Sequence, residues 1–316
     1  MSRFTGRVLR VLLALAISAL VAAEARAAAS AHGAAARQTS TLPTAATLRG
    51  LVRDVDRRHG GRAQVAVTRG GRVVAAASSG PTTRPFRMWS VGKVATAVAL
   101  LERGGSLRAD VRRAIADALV GSGNCAQRQL MVELQRRAGG IEPARRALAR
   151  VLRRAGVRHA SLAVGAASNR TGCRRYLKNA STPGVTGPAL QIGTATWRLS
   201  DAARFAHALD GLPVADLLRR AKRHAPDDGV GASDVTGDLG WGAGVALKDL
   251  KPAYKAGWGG LGGSLIYEQV IRVRDVGIAV TFEPRVQPAH DDPYRTRTPQ
   301  AMRDLLRALR PLLGLR

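Results

Sequence analysis

Ser90 and Lys93 stand three residues apart in "RMWSVGKVATAVALLE" (residues 87–102), an otherwise apolar run. On a helix, positions i and i+3 share a face, so a hydroxyl and an amine at this spacing can meet. A serine hydroxyl becomes an effective nucleophile when a base takes its proton. A lysine amine serves as that base when burial or a nearby cation lowers its pKa. Val91, Val94, Ala95 and Ala97 supply an apolar setting, and a helix N-terminus turns its N–H groups toward an oxyanion formed on Ser90. Taken alone, the pair reads equally as a helix cap followed by a lysine, because Ser-x-x-Lys arises often by chance.

Two further groups could complete such a site. "VGSGNCAQRQL" places Ser122, Gly123 and Asn124 directly before a helical pattern, and "AYKAGWGG" places Lys255, Ala256 and Gly257 at the end of a strand-like run. Ser122 and Asn124 are also good helix-cap residues, and Lys255 could be a solvated strand end.

The elements that must position these groups are legible as periodicities. "ATLRGLVRDVDRRHGG" predicts a helix ending at Gly60-Gly61. "AQVAVTRGGRVVAAASS" predicts a hairpin turning at Gly70-Gly71. The apolar helix of the Ser90 stretch follows. From Arg108 to Gly156 helical patterns alternate with glycine breaks, in "AQRQLMVELQRRAGG" and "EPARRALARVLRRAG". Val157 to Thr196 has little periodicity and reads as mostly loop, a length that points to function or mobility. "SDAARFAHALDGLP" predicts a helix capped by Ser200. Three strand-like runs lie between Trp241 and Phe282, and "TPQAMRDLLRALRPLLGL" predicts a terminal helix. This order predicts an α+β fold: one antiparallel sheet from the N- and C-terminal segments, flanked by helices, with a helical insertion.

Ser-x-x-Lys, then Ser-x-Asn, then Lys-x-Gly, in that order, resembles the three-motif signature of class A β-lactamases and penicillin-binding proteins. The hairpin before Ser90, the helices around Ser122 and the strands after Lys255 follow that family's order of elements. "GTATWRLSDAARFAHAL" is similar to its threonine-rich lead into a helix. The resemblance covers roughly residues 44 to 314 and implies a β-lactamase/transpeptidase-like fold. It implies that Ser90 is acylated, Lys93 activates it, and Ser122 relays protons to the leaving nitrogen. Asn124 then hydrogen-bonds the substrate amide, and Lys255 adds positive potential beside Ser122 and the substrate carboxylate. The backbone N–H groups of Ser90 and Trp258, the latter following Ala256-Gly257, form the oxyanion hole.

Three departures qualify the expected chemistry. Gly123 stands where the β-lactamases have aspartate, and Ala256 where the family has threonine or serine. One lost hydrogen bond to a charged group is worth about 1.5–3 kcal/mol, which predicts weaker binding of a substrate carboxylate. No Asp or Glu occurs between Glu142 and Asp201, the interval of the glutamate that activates the deacylating water in class A enzymes. Slow deacylation is therefore expected. A substrate of β-lactam or D-Ala-D-Ala peptide type follows from the resemblance. A catalytically degenerate domain that binds cell-wall material or a protein partner is the alternative.

The rest of the composition bears on location. Arg3, Arg7 and Arg10 precede an apolar stretch from Val11 to Ala23, and Ala25 and Ala27 give a small-x-small pattern. This predicts a signal peptide over residues 1–27, a flexible spacer over 28–43 and the hydrolase domain over 44–316. An uncleaved anchor is the competing reading of the leader, although its apolar core is short for a membrane span. The expected location is secreted or wall-associated, with no membrane span after cleavage. The net charge of +28 reflects either an anionic wall polymer as partner or merely an arginine-rich surface. Export and the lack of recognition motifs argue against nucleic acid. Cys125 and Cys173 are either free thiols or, as export favours, a disulfide. Within the family resemblance, that bridge ties the acid-free loop to the site edge. No metal set or cofactor motif is visible, and a monomer is expected.

Overall fold

The computed structural model describes residues 42–81, 85–162, 164–166, 188–190, 192–220, 242–261, 264–286 and 297–315. The expected leader, the spacer up to residue 41 and Cys173 lie outside them. A compact unit spans Leu42–Arg316. Among the described residues no helix is long and apolar enough to cross a membrane.

Helix α1 (Ala45–His59) starts where Thr44 accepts a hydrogen bond from the Thr47 N–H, and ends at Gly60 in the left-handed region. Its Leu48, Val52 and Val55 form one buried stripe. Strands β1 (Gly61–Arg69) and β2 (Arg72–Ser78) form the expected hairpin. Gly70 and Gly71 both have positive φ, as a two-residue hairpin turn of this hand demands.

The sheet is completed from the other end of the chain by β8 (Ala253–Leu261), β9 (Ser264–Val273) and β10 (Val276–Pro284), in the order β2-β1-β10-β9-β8. The β1–β10 pairing runs from Gly61↔Pro284 to Arg69↔Val276, so the first and last parts of the domain share one sheet. Alternation sorts its residues onto two faces. Val65, Val67, Ile271, Ile278 and Val280 meet α1, the short α8 (Ala243–Ala246) and the terminal helix α9 (Arg297–Leu312). Ala66, Val270 and Ala279 face the opposite layer. There α6 (Leu199–Ala208) lies close on the strands through Ala202, Ala203 and Ala206. A Cβ on Gly277 would stand 2.5 Å from the His207 nitrogen, so the helix and sheet backbones nearly touch.

The helical insertion comprises α2 (Gly92–Leu101), α3 (Ala109–Val120), α4 (Asn124–Ala138) and α5 (Ile141–Arg154). Every residue of α2 from Gly92 to Leu100 is buried, which makes it the central helix of this half. The α+β arrangement expected from the sequence is the one the chain adopts.

Three expectations need correction. Ser200 does not cap α6: the cap position is Arg198, extended, because Trp197 is anchored in β7 (Thr196–Trp197) and the helix begins at once. Among its described residues, the stretch after Val157 has short strands that its composition does not predict. It contains β4 (Ala160–Ser161), β5 (Val164–Ala166), β6 (Pro188–Leu190) and β7, paired across long sequence separations that leave no local period. Lys255 lies not at a strand end but third in the nine-residue β8.

Candidate active site

Ser90 sits in a 3-10 turn (Trp89–Val91) that runs directly into α2. The turn is fastened upstream by β3 (Phe86–Arg87), which pairs Phe86↔Trp197 and Arg87↔Thr196, and by the Met88 N–H donating to Ala195 O at 2.7 Å. Phe86, Trp197 and Phe205 follow edge to face, with centroids 6.2 and 5.6 Å apart. Trp89 holds a positive φ of 39°, a strained conformation for a bulky residue. Packing holds it there. A Cβ on Gly259 would run into the indole, and one on Gly257 would stand 3.0 Å from both Trp89 Cβ and Ser90 N. The Arg87 guanidinium covers the indole at 5.3 Å from its centroid. The glycines of "GWGG" thus make room for the segment that carries Ser90.

Ser122 occupies the bend between α3 and α4 with φ 58°, and Asn124 opens α4. Gly121 and Gly123 both donate N–H groups to the Asp117 carbonyl, which closes the bend. Lys93, on the first turn of α2 and 3% exposed, reaches across to it. Its Nζ donates to Asn124 Oδ1 at 2.9 Å, to Ser122 Oγ at 3.4 Å and to the Ser122 carbonyl. From the other side, Lys255 Nζ donates to Ser122 Oγ at 2.8 Å and to the Ala256 carbonyl at 3.0 Å. Ser122 Oγ therefore lies between two lysine amines.

Lys255 is 4% exposed. Burial lowers its pKa to about 7, against the opposing pull of Glu268. An amine poised there exchanges protons at neutral pH. Strand β8 is at the sheet edge, so alternate residues turn their main-chain groups away from β9. The Ala256 carbonyl meets Lys255 on that edge, and the strand's period of two puts the Trp258 N–H there as well. The Trp258 ring stacks on Tyr267 at 6.3 Å.

The structure thus gathers Lys93, Ser122, Asn124 and Lys255 into one hydrogen-bonded group, and lays Gly257 against the main chain of Ser90. It does not join Ser90 to Lys93 in the way their spacing suggests. Among the described residues the Ser90 hydroxyl has no hydrogen-bond partner. Cys125 is buried on the first turn of α4 beside Asn124. Asp201, the first acid after Glu142, is buried on α6 and accepts from the Arg158 and His159 N–H groups at 3.1 and 3.2 Å, holding main chain in place. Sequence reasoning missed Glu268, buried on β9 opposite Gly257. Its signal was a lone acid inside "SLIYEQVIRV".

Gly257→Ala is expected to slow any acylation of Ser90 by about tenfold or more, since overpacking of about 1–3 kcal/mol falls between β8 and the nucleophile's main chain. The rate of covalent adduct formation, followed by intact mass, checks this; an unchanged rate would contradict the packing argument.

No family model and no curated protein matches the chain. Solved structures do. The transpeptidase domain of a D,D-transpeptidase from Legionella pneumophila superposes with a TM-score of 0.53 at 13% identity, over 84% of this chain and 94% of that one. A β-lactamase from Streptosporangium roseum gives 0.53 at 15% identity, over 86% and 100%. The chromosome-encoded β-lactamase of Vibrio parahaemolyticus gives 0.50 at 14% identity, over 84% and 98%. With the sheet order and helical insertion described above, these likenesses identify the architecture: the chain has the β-lactamase/transpeptidase fold.

Proposed function

We propose that the protein is a secreted serine acyl-transfer enzyme in which Ser90 takes an acyl group from a β-lactam or a D-Ala-D-Ala-like peptide. The observation that carries this reading is Ser122 Oγ held between Lys93 Nζ and Lys255 Nζ, with Asn124 on the same lysine. Ser90 Oγ attacks the carbonyl carbon and its proton passes to Lys93. The oxyanion is received by the N–H groups of Ser90 and Trp258. Ser122 gives its proton to the leaving nitrogen, and Lys255 replaces it on Oγ. An ester on Ser90, a neutral leaving amine, an ammonium at Lys93 and a neutral amine at Lys255 result.

Deacylation is the slow step of this scheme, because no acid lies between Glu142 and Asp201 to activate water. The bonded state of Cys125 supports a bridge to Cys173 beside the site. Such a bridge is consistent with export through the leader. The outward arginines of α5, Arg146, Arg150 and Arg153, are exposed at helical spacing and suit an anionic wall polymer.

One observation favours a second reading, a catalytically degenerate domain that binds wall material or a protein. Lys93 Nζ is directed at Asn124 and Ser122, while among the described residues the Ser90 hydroxyl has no hydrogen-bond partner. Incubation of the mature protein with a labelled penicillin, followed by intact mass, separates the two. A lasting adduct on Ser90, absent from Ser90→Ala, is the expected result. Rapid turnover would restore an efficient β-lactamase. No adduct at high ligand concentration would establish the binding domain.

A further inference from the structure

Beneath β8 lies a buried carboxyl that makes no hydrogen bond to the proton relay. Glu268 interrupts the apolar run of β9, pairs with Gly257 across the strands and is 1% exposed. Its Oε2 accepts a long hydrogen bond of 3.4 Å from Trp197 Nε1, and its Oε1 is buried without a hydrogen-bond partner. A methyl group on Gly257 would stand 2.9 Å from that oxygen and 3.0 Å from Ser90 N. The carboxyl is therefore about one methyl group away from the nucleophile's main chain. The period of two along β8 puts Lys255 on the same face, two residues before Gly257. Buried carboxyls without full hydrogen bonding are disfavoured, and they concentrate where a site uses them.

We propose that Glu268 is a positioning residue for acyl transfer: a sealed carboxyl under β8 whose ionised form favours the ammonium of Lys255, and so sets the direction in which a proton passes through Ser122. The inference rests on the acyl-transfer reading of Ser90. With Lys255 as ammonium, Ser122 Oγ accepts from it and turns its own hydrogen toward the leaving nitrogen. With Lys255 neutral, the amine accepts that hydrogen and the hydroxyl points the wrong way.

Electrostatics couple the two groups. Burial pushes the Glu268 carboxyl well above the usual range and the Lys255 amine down, and each group partly reverses the other's shift. Charges on the elements packed against these strands are engaged elsewhere. Asp201 on α6 holds Arg204, and His207 meets Arg272 of β9. Asp210 binds Arg219 and Arg272, while Asp216, on α7 (Ala215–Arg219), binds Arg219. Lys93, across Ser122, is the other charge among the described residues that faces Lys255.

The test is Glu268→Gln in the whole protein, which keeps the side chain's size and an oxygen for Trp197. The titration of Lys255 is followed by NMR of labelled lysine ε-carbons, with its resonance assigned through Lys255→Arg. The midpoint is expected to fall by about one pH unit or more in the glutamine variant. The alkaline limb of Ser90 acylation by labelled penicillin should move down with it. Glu268→Asp, which keeps the charge, should restore most of both. A merely structural role would leave the Lys255 midpoint where it is, and that result overturns the proposal.

Should the glutamine variant not fold, the wild-type protein still decides. A coupled pair titrates in two macroscopic steps, so a single-step Lys255 curve refutes the counter-charge. A wild-type protein that is never acylated refutes the acyl-transfer reading instead, and the two failures appear in different measurements.

Discussion

Lys255→Met is expected to slow acylation of Ser90 by about 10²–10⁴-fold, the range over which a positioned acid or base contributes to catalysis. Lys255 Nζ is the closer of the two amines to Ser122 Oγ, at 2.8 Å against 3.4 Å for Lys93, and only a protonated amine can replace the proton that Ser122 gives away. Methionine keeps the apolar stem and much of the volume, so the fold should survive. Burial of Glu268, no longer opposed by the cation, then favours its neutral form. In the wild-type protein the same dependence appears as pH: acylation should fall as pH rises through about 7, where the buried amine loses its proton. The measurement is adduct formation with labelled penicillin across pH, beside thermal unfolding of both proteins. A variant that folds and acylates at the wild-type rate would remove Lys255 from the chemistry.

Glu133→Ala is expected to destabilise the protein by about 3 kcal/mol, toward the lower end of what breaking a buried ion pair does, because the arginines left behind are partly exposed. Glu133 is fully buried on α4 and binds Arg136 at 2.7 Å and Arg137 at 2.8 Å, with Arg108 at 3.7 Å. The hydrogen bonds from Arg136, against the opposing effect of burial and with help from Arg137, hold its carboxyl at about 2, below its ordinary 4.5. A carboxyl depressed in the folded state stabilises the protein above its unfolded value, and that stability is lost as pH falls. The difference between variant and wild type should therefore be full above about pH 5 and shrink as pH falls toward 2. Urea unfolding at a series of pH values measures this. The first turn of α4 follows Ser122 and carries Asn124, so penicillin acylation should weaken alongside stability. A stability gap independent of pH would show that packing, not charge, dominates at this position.

Local signals in the sequence accounted for much of the framework. The Gly60 stop of α1, the Gly70-Gly71 turn and the periods of α4, α5 and α9 are decided within a few residues of chain, where backbone sterics and one buried stripe suffice. Strands β3 to β7 were not legible, because pairings such as Phe86↔Trp197 join two- and three-residue segments far apart in the chain. Ser200 misled for a related reason. Capping chemistry predicted the helix start, but the anchoring of Trp197 in β7 placed it two residues earlier.

The candidate site divides in the same way. The types and order of Ser90, Lys93, Ser122, Asn124 and Lys255 are properties of the sequence, as is the absence of an acid between Glu142 and Asp201. Which groups meet is not. The spacing of Ser90 and Lys93 suggested a direct pair, yet the 3-10 turn at Trp89–Val91 separates Ser90 from the regular helix, and Lys93 turns to Ser122 and Asn124. Glu268 carries no signal in the sequence beyond being one acid in an apolar strand; pairing with Gly257 sets it close to the nucleophile's main chain. Side-chain type is written in the chain and fixes what chemistry each group can perform. Proton direction depends on distances and burial, and these exist only once β8, α2 and the bend before α4 are packed together.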